Sequence, residues 1–343
     1  MSFDLIGEQR NWGDLQALLA ENDTFIFSTH VQPDADGVGS ELGLARYLKS
    51  IGKTVHILNP SPLRVNLEFL TNNDEIQVYD SDIHSHLLST ADVFIAFDIG
   101  HYDRLMVLAQ DLKSSAIKKV SIDHHPGDKS QFDYQFDFPT ASSTGVLIYD
   151  LLNTIDNSAN KIYEIARPIY AAMMSDTGNF RFNNTDPETL IAAAHLVSAG
   201  VKPYELYVYL YEDLNTPGRL LVIQKLLSEL QYACDGRLAW SLIDFEDIEK
   251  LGATKDDMNS LSDFIRSIKG VEVGVSFTRT PGQKIDVSFR SKGHITINKI
   301  AMSFGGGGHA FAAGCHVDGT LEEAAVSVVA ECVKTIESWE ADV

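Results

Sequence analysis

Through its first two hundred residues the sequence alternates short apolar runs with amphipathic stretches. That alternation predicts an α/β domain built on a doubly wound parallel sheet. Beyond a proline- and glycine-marked break, period-two runs and separate helices predict a smaller α+β domain. A length of 343 residues exceeds one ordinary core and fits two domains. The expected division is residues 1–200, a linker over 201–218, and residues 219–343.

The elements follow in order. "TFIFSTH" reads as a buried strand, "SELGLARYLKSIG" as a helix closed by Gly52, and "KTVHIL" as the next strand. "DVFIAFDIG" and "KKVSIDHH" are further apolar runs that end in polar residues. "GVLIYDLLNTI" and "NKIYEIARPIYAAMMSDTG" read as helices, and "DPETLIAAAHLVSAG" as one stopped by Gly200. "VKPYELYVYLYEDL" precedes the breaker "NTPG", Asn215 to Gly218, which places the linker there. Its Tyr204, Tyr207 and Tyr211 have helical spacing and suit packing better than base stacking. In the second half, "VEVGVSFTRT" and "QKIDVSFRS" alternate around "PG" as a hairpin. "HITINKIAMSF" reads as a helix. The closing helix starts at a capping box, Thr320 with Glu323.

Composition bounds the function. Hydrophobic residues make up 44% and charged residues 22%, as in an ordinary soluble protein. No apolar run nears the roughly 18 residues that span a bilayer, and "MSFDLIGEQRNWGDL" lacks the pattern of a secretory signal. Cys234, Cys315 and Cys332 are scattered, which argues for a reducing compartment and against a thiolate metal site. The cytoplasm is the expected location, with no membrane partner. A net charge of −21 disfavours a grip on long duplex nucleic acid, so a nucleotide substrate should be short and held by a few local cations.

Chemistry gathers at four places in the first domain. "FIF" leads to His30, Asp34 and Asp36, "VFIAF" to Asp98, and "VSI" to Asp123, His124 and His125, while the helix "IYAAMM" leads to Asp176. In an open parallel sheet, ligands bind beyond the carboxyl ends of the strands, so these clusters should converge on one edge. Alone, "PDADG" is a common turn, "DHH" fits a solvated loop, Asp176 can merely end a helix, and "TASSTG" is a helix N-cap. Their coincidence argues otherwise. Crowded carboxylates need cations or shared protons. Mixed carboxylate and imidazole donors without thiolates suit two divalent ions such as Mn²⁺, and Ala35 lets Asp34 and Asp36 address different ions.

In the second half "FGGGGHAFAAG" fits a turn whose bare amides meet an anion at a helix start. A locally basic stretch lies upstream: Arg279, Lys284, Arg290, Lys292 and Lys299, against only Asp286. Arg290 and His309 are its favoured ligand contacts.

The order "HVQPDADGVGS", "FDIG", "DHH", "SDTGNFRF" resembles the DHH phosphoesterase superfamily. The ending "FRS…NKIAMSFGGGGHAFAAG" is similar to the associated C-terminal domain of its RecJ-like branch, and the whole chain looks like the short type that combines oligoribonuclease (nanoRNase) with 3′-phosphoadenosine 5′-phosphate (pAp) phosphatase activity. The resemblance implies two Mn²⁺, with Mg²⁺ or Co²⁺ as alternatives. His30 and Asp34 would hold one ion; Asp36, His124 and Asp176 the other; Asp98 would bridge them. Asp123 would orient an imidazole, and His125 and Arg104 would meet the phosphate. Arg290, Ser291, Gly306, Gly307, Gly308 and His309 would bind the far end of the nucleotide, with the active-site cleft between the domains. The implied substrates are pAp and RNA of two to five nucleotides, cut by water attack on phosphorus. A homodimer is compatible with the sequence. Val146 stands where many relatives have an acid, which leaves this helix start without a clear catalytic role. The same metal site would also serve a cyclic-dinucleotide or pApA phosphodiesterase, a RecJ-like single-strand exonuclease, or, with catalysis lost, a nucleotide sensor.

Overall fold

A computed structural model describes residues 10–341 apart from 73, 214–215, 280–281 and 283. The chain forms two compact units, Met1–Glu212 and Asp213–Val343.

The first unit opens with α1 (Gly13–Glu21) and then lays down β1 (Thr24–Ser28), α2 (Ala35–Ser50), β2 (Thr54–Asn59) and β3 (Ile76–Val78). The short helices α3 (Ser81–His84) and α4 (Leu87–Thr90) lead to β4 (Val93–Phe97), α5 (Val107–Lys113), β5 (Lys118–Asp123) and β6 (Tyr134–Asp137). The sheet order is β3-β2-β1-β4-β5-β6, and every pairing is parallel. The chain starts in the middle and winds outward both ways, so the topological switch lies between β1 and β4. Burial on both faces of the sheet explains the continuous apolar runs. Phe25 and Phe27 enter the core on one face, while Ile26 and Phe94 enter that on the other.

Three helices, α6 (Thr144–Ile155), α7 (Tyr163–Asp176) and α2, pack closely on one face. A Cβ on Gly39 would come within 2.2 Å of Pro168 O, and one on Gly145 within 2.5 Å of Ala172 Cβ. Pro168 lies inside α7 and cannot donate to Glu164 O. Arg46 of α2 does so instead, with Nη1 at 2.8 Å, and its other nitrogens reach Leu70 O and Glu75. The unit closes with α8 (Pro187–Ser198), α9 (Pro203–Tyr207) and a π-helical turn, Val208–Glu212.

The second unit runs α10 (Pro217–Ser228), β7 (Gln231–Ala233), β8 (Leu238–Asp244), α11 (Phe245–Lys250), α12 (Leu261–Ser267), β9 (Val273–Arg279) and β10 (Ile285–Ser291). It ends with α13 (Asn298–Ser303), β11 (Gly307–His309), β12 (Ala312–Val317) and α14 (Leu321–Ala341). Its mixed sheet has the order β11-β12-β10-β9-β8-β7, with β8 and β9 parallel and the other pairs antiparallel.

Several local expectations change. The helix expected from Ser40 begins at Ala35, because Asp34 caps it by accepting from Asp36 N and Gly37 N. Within "HITINKIAMSF" only Asn298–Ser303 is helical, and Ile295 and Ile297 are buried in the chain before it. In "NTPG", Thr216 caps a helix and Pro217 and Gly218 form its first turn, while Asn215 lies outside the described residues. The expected hairpin forms, β9 pairing antiparallel with β10, and Pro281 of its turn lies outside the described residues. Tyr207 and Tyr211 stack on each other and pack against the first core, whereas Tyr204 is exposed. The capping box at α14 forms as expected, Thr320 N donating to Glu323 and Glu323 N to Thr320.

Gly39→Ala should cost about 1–3 kcal/mol, since the added methyl must displace the α7 backbone. The denaturant midpoint reads this directly, and an unchanged midpoint would mean that the helices can part at little cost.

Candidate metal centre

Each strand bordering the topological switch delivers donors at its carboxyl end. After β1 the chain turns through His30 to Asp34, whose Oδ1 accepts from Asp36 N at 3.0 Å and Gly37 N at 3.2 Å. This fixes the first turn of α2, which carries Asp36. After β4, Asp98 adopts a left-handed backbone with φ of 52°, a conformation that Asp tolerates better than most residues. Asp123 ends β5, His124 and His125 follow it, and α7 ends on Asp176.

Two clusters result. His30 Nε2 lies 3.5 Å from Asp34 Oδ2 and 3.6 Å from Asp98 Oδ2. His124 Nε2 lies 3.5 Å from Asp36 Oδ2, 3.4 Å from Asp98 Oδ1 and 3.3 Å from Asp176 Oδ2. Asp98 therefore faces both, one oxygen toward each. In each of the sets His30, Asp34, Asp98 and Asp36, His124, Asp176, the donor atoms lie within 4.8 Å of one another.

Neighbouring groups set the orientation of these side chains. Asp36 is fully buried, and both its oxygens accept backbone N–H groups from the first turn of α6: Thr144 N at 2.8 Å and Gly145 N at 2.8 Å. The amide ends of a helix favour an anion there. Ser143 is the N-cap, accepting from Val146 N. His124 Nδ1 faces Ala141 O at 3.3 Å, which turns Nε2 toward the acids. Asp123 accepts from Ile99 N, Gly100 N, His125 N and buried Lys129 Nζ, and its Oδ1 lies 2.9 Å from His125 Nδ1. Arg104 stands against the His30 ring, with Nη2 2.8 Å from Nδ1.

The electrostatics match the crowding. Burial opposes every charge here. The carboxylates overcome it at the imidazoles, lifting His30 to about 9, His124 to about 10 and His125 to about 11. Burial together with Asp98 raises Asp36 well above the usual carboxylate range and Asp176 to about 6. The three imidazoles hold Asp98 well below it despite burial. Asp98 Oδ1 is buried and receives no hydrogen bond of good geometry, although it lies 2.9 Å from His125 Nδ1. A donor set of carboxylates and imidazoles with a buried oxygen left over fits hard divalent cations.

The candidates of the second unit are arranged differently from the expectation. Gly307–His309 forms an edge strand rather than a turn before a helix, and "AAGCHV" is its partner strand. The glycines allow close strand approach: a Cβ on Gly306 would come within 2.1 Å of Gly314 O, and one on Gly308 within 2.5 Å of Ala312 O. Arg290 bonds Asp263 at 3.1 Å, and buried Ser291 accepts from Gly293 N at 3.4 Å. Two further cations of the basic stretch pair with acids distant in sequence. Arg279 pairs with Asp244 and Lys284 with Asp318, while Lys292 Nζ donates to Ile268 O. Sequence reasoning missed Lys129, a lone lysine just past "DHH" whose residue type does not announce burial, and the α6 amides, which lie 108 and 109 residues from Asp36.

Residues 24–175 match the model of the DHH family, N-terminal domain, and residues 238–338 that of the DHHA1 domain. The chain is 31% identical to the bifunctional oligoribonuclease and PAP phosphatase NrnA of Thermus thermophilus, over 95% of each chain. Its identity to the protein of the same name in Bacillus subtilis is 30%, covering 86% of this chain and 90% of that one. The cyclic-di-AMP phosphodiesterase PdeA of Listeria monocytogenes is 26% identical over 86% of this chain and 45% of its own. Among solved structures, an exopolyphosphatase-related protein of Bacteroides fragilis superposes with a TM-score of 0.87 at 28% identity, covering 94% of each chain. No helix among the described residues is long and apolar enough to cross a membrane.

The raised imidazoles make a pH prediction. A His whose folded pKa exceeds 6.5 stabilises the folded state fully below pH 6.5, and that contribution is lost as pH rises through about 9 to 11. Chelator-treated protein should therefore melt at progressively lower temperature from pH 6.5 toward 10. Added divalent cation should restore more stability the higher the pH. Calorimetric melting across that range is the check, and a melting temperature that climbs with pH would contradict it.

Proposed function

The chain belongs to the DHH phosphoesterase family, and on that premise we propose that it is a Mn²⁺-dependent hydrolase of short phosphate esters. Its substrates in this reading are oligoribonucleotides of a few residues, cut to nucleoside monophosphates, and pAp, relieved of its 3′-phosphate. The observation that carries the reading is Asp98 with one oxygen toward each ligand cluster, at the switch point of the sheet. The choice of substrate rests on the two relatives at 30–31% identity, matched over most of their length. The net charge of −21 favours short substrates over long strands.

His30 and Asp34 would hold one cation, Asp36, His124 and Asp176 the second, with Asp98 between them. Such cations supply Lewis acidity toward phosphoryl oxygens and lower the pKa of water. The protein's own groups do the rest. The α6 amides fix Asp36 so that its remaining lone pairs point at the centre. Asp123 keeps a proton on His125 Nδ1 and lets the far edge of that ring donate to a phosphate oxygen. Arg104 supplies a second donor. Its guanidinium can only donate, and it stands 2.8 Å from His30 Nδ1 beside the centre. With Nε2 facing a cation, His30 Nδ1 would keep its proton on Val31 O, 2.7 Å away, and the Arg104 guanidinium would be free to meet the phosphate. In the second unit, the exposed backbone of Gly307, Gly308 and His309 is our candidate for the far nucleotide.

Turnover of pAp, of cyclic di-AMP and of an RNA ladder from two to about twenty nucleotides, with Mn²⁺, Mg²⁺ or Co²⁺, tests this reading. Asp98→Ala should lower kcat by on the order of 10³ or more on both substrates while the protein stays folded. Loss of one activity alone would mean two separate sites. Rapid cleavage of the longest strands, or turnover confined to cyclic di-AMP, would overturn the substrate assignment.

A further inference from the structure

Lys129 has no exposed side-chain surface. An ammonium has three donors, and here all three are used: Asp123 Oδ2 at 2.9 Å, Asp137 Oδ1 at 2.9 Å and His125 O at 2.8 Å. A buried cation is costly unless it is paired this fully. β5 and β6 already pair through four residues, Val120 to Asp123, so joining the strands does not require it. What Lys129 adds is a grip on the loop that follows β5. His125 is fixed to Asp123 through its backbone N–H and its ring, and Lys129 holds its carbonyl while also bonding the other oxygen of Asp123.

We propose that Lys129 is a positioning residue for His125, clamping that histidine and Asp123 together so that the far edge of the imidazole meets the phosphate. Lys129 touches no substrate, and its effect passes through His125. The proposal rests on the reading of His125 as a phosphate contact.

The test compares Lys129→Met in the native chain and in a His125→Ala chain, with pAp and a diribonucleotide as substrates. In the native chain the substitution should lower kcat by about 10–100-fold. In the His125→Ala chain it should cost less than about 3-fold, because the residue it positions is gone. Nitrogen-15 spectra of the His125 ring should show a single ring environment in the native chain and more than one in Lys129→Met. Equal losses in both chains, or ring signals unaltered by the substitution, would overturn the proposal. A His125→Ala enzyme with native kinetics would instead remove its premise. If Lys129→Met does not fold, Lys129→Gln, which keeps an amide donor, carries the same comparison and should show a smaller, equally His125-dependent loss; a loss independent of His125 counts against the proposal as before.

Discussion

Asp34, Asp36, Asp98 and Asp176 bring four carboxylates to within 3.3–3.6 Å of two imidazole nitrogens. Left alone they would repel one another and draw in water or protons. The rest of the first unit is arranged around holding them. Backbone amides bind Asp34 and Asp36, a left-handed backbone aims Asp98, and carbonyl oxygens face the rear of His30 and His124. Burial and Asp98 raise the carboxyl of Asp36, and the carboxylates raise the imidazoles, so protons and a cation compete for the same positions.

This arrangement ties the chemistry to the packing of three helices. Asp36 takes its bonds from α6 across 108 and 109 residues of sequence. Those amides reach it only because α2, α6 and α7 approach at glycine positions, where side chains would hold them apart. Core substitutions far from any ligand should thus be felt at Asp36.

Much of the centre is legible in the sequence, for a physical reason. Parallel strands place their carboxyl ends on one edge, so polar residues closing apolar runs must meet there, and His30, Asp98 and His124 do. The short edge strands β3 and β6 carry too few residues to show a period. The α6 amides are backbone, which no residue type announces. The pairing of the basic stretch was not legible because linear neighbours are not spatial ones: Asp244, Asp263 and Asp318 come from other parts of the chain to meet it. "GGGGH" forms an edge strand instead of a turn before a helix, because glycine serves close strand pairing as well as anion binding.

Pro168 offers a mechanical reading of α7. It interrupts the hydrogen-bond ladder eight residues before Asp176, and Arg46 braces the interruption from α2. Eight residues of helix make a lever of about 12 Å. Each change of about 10° in bend at Pro168 would swing Asp176 by about 2 Å, on the order of half the 3.5–4 Å that separates ions in paired metal sites. The position of one ligand therefore depends on a contact well away from it, the bond by which Arg46 ties Glu164 O to α2.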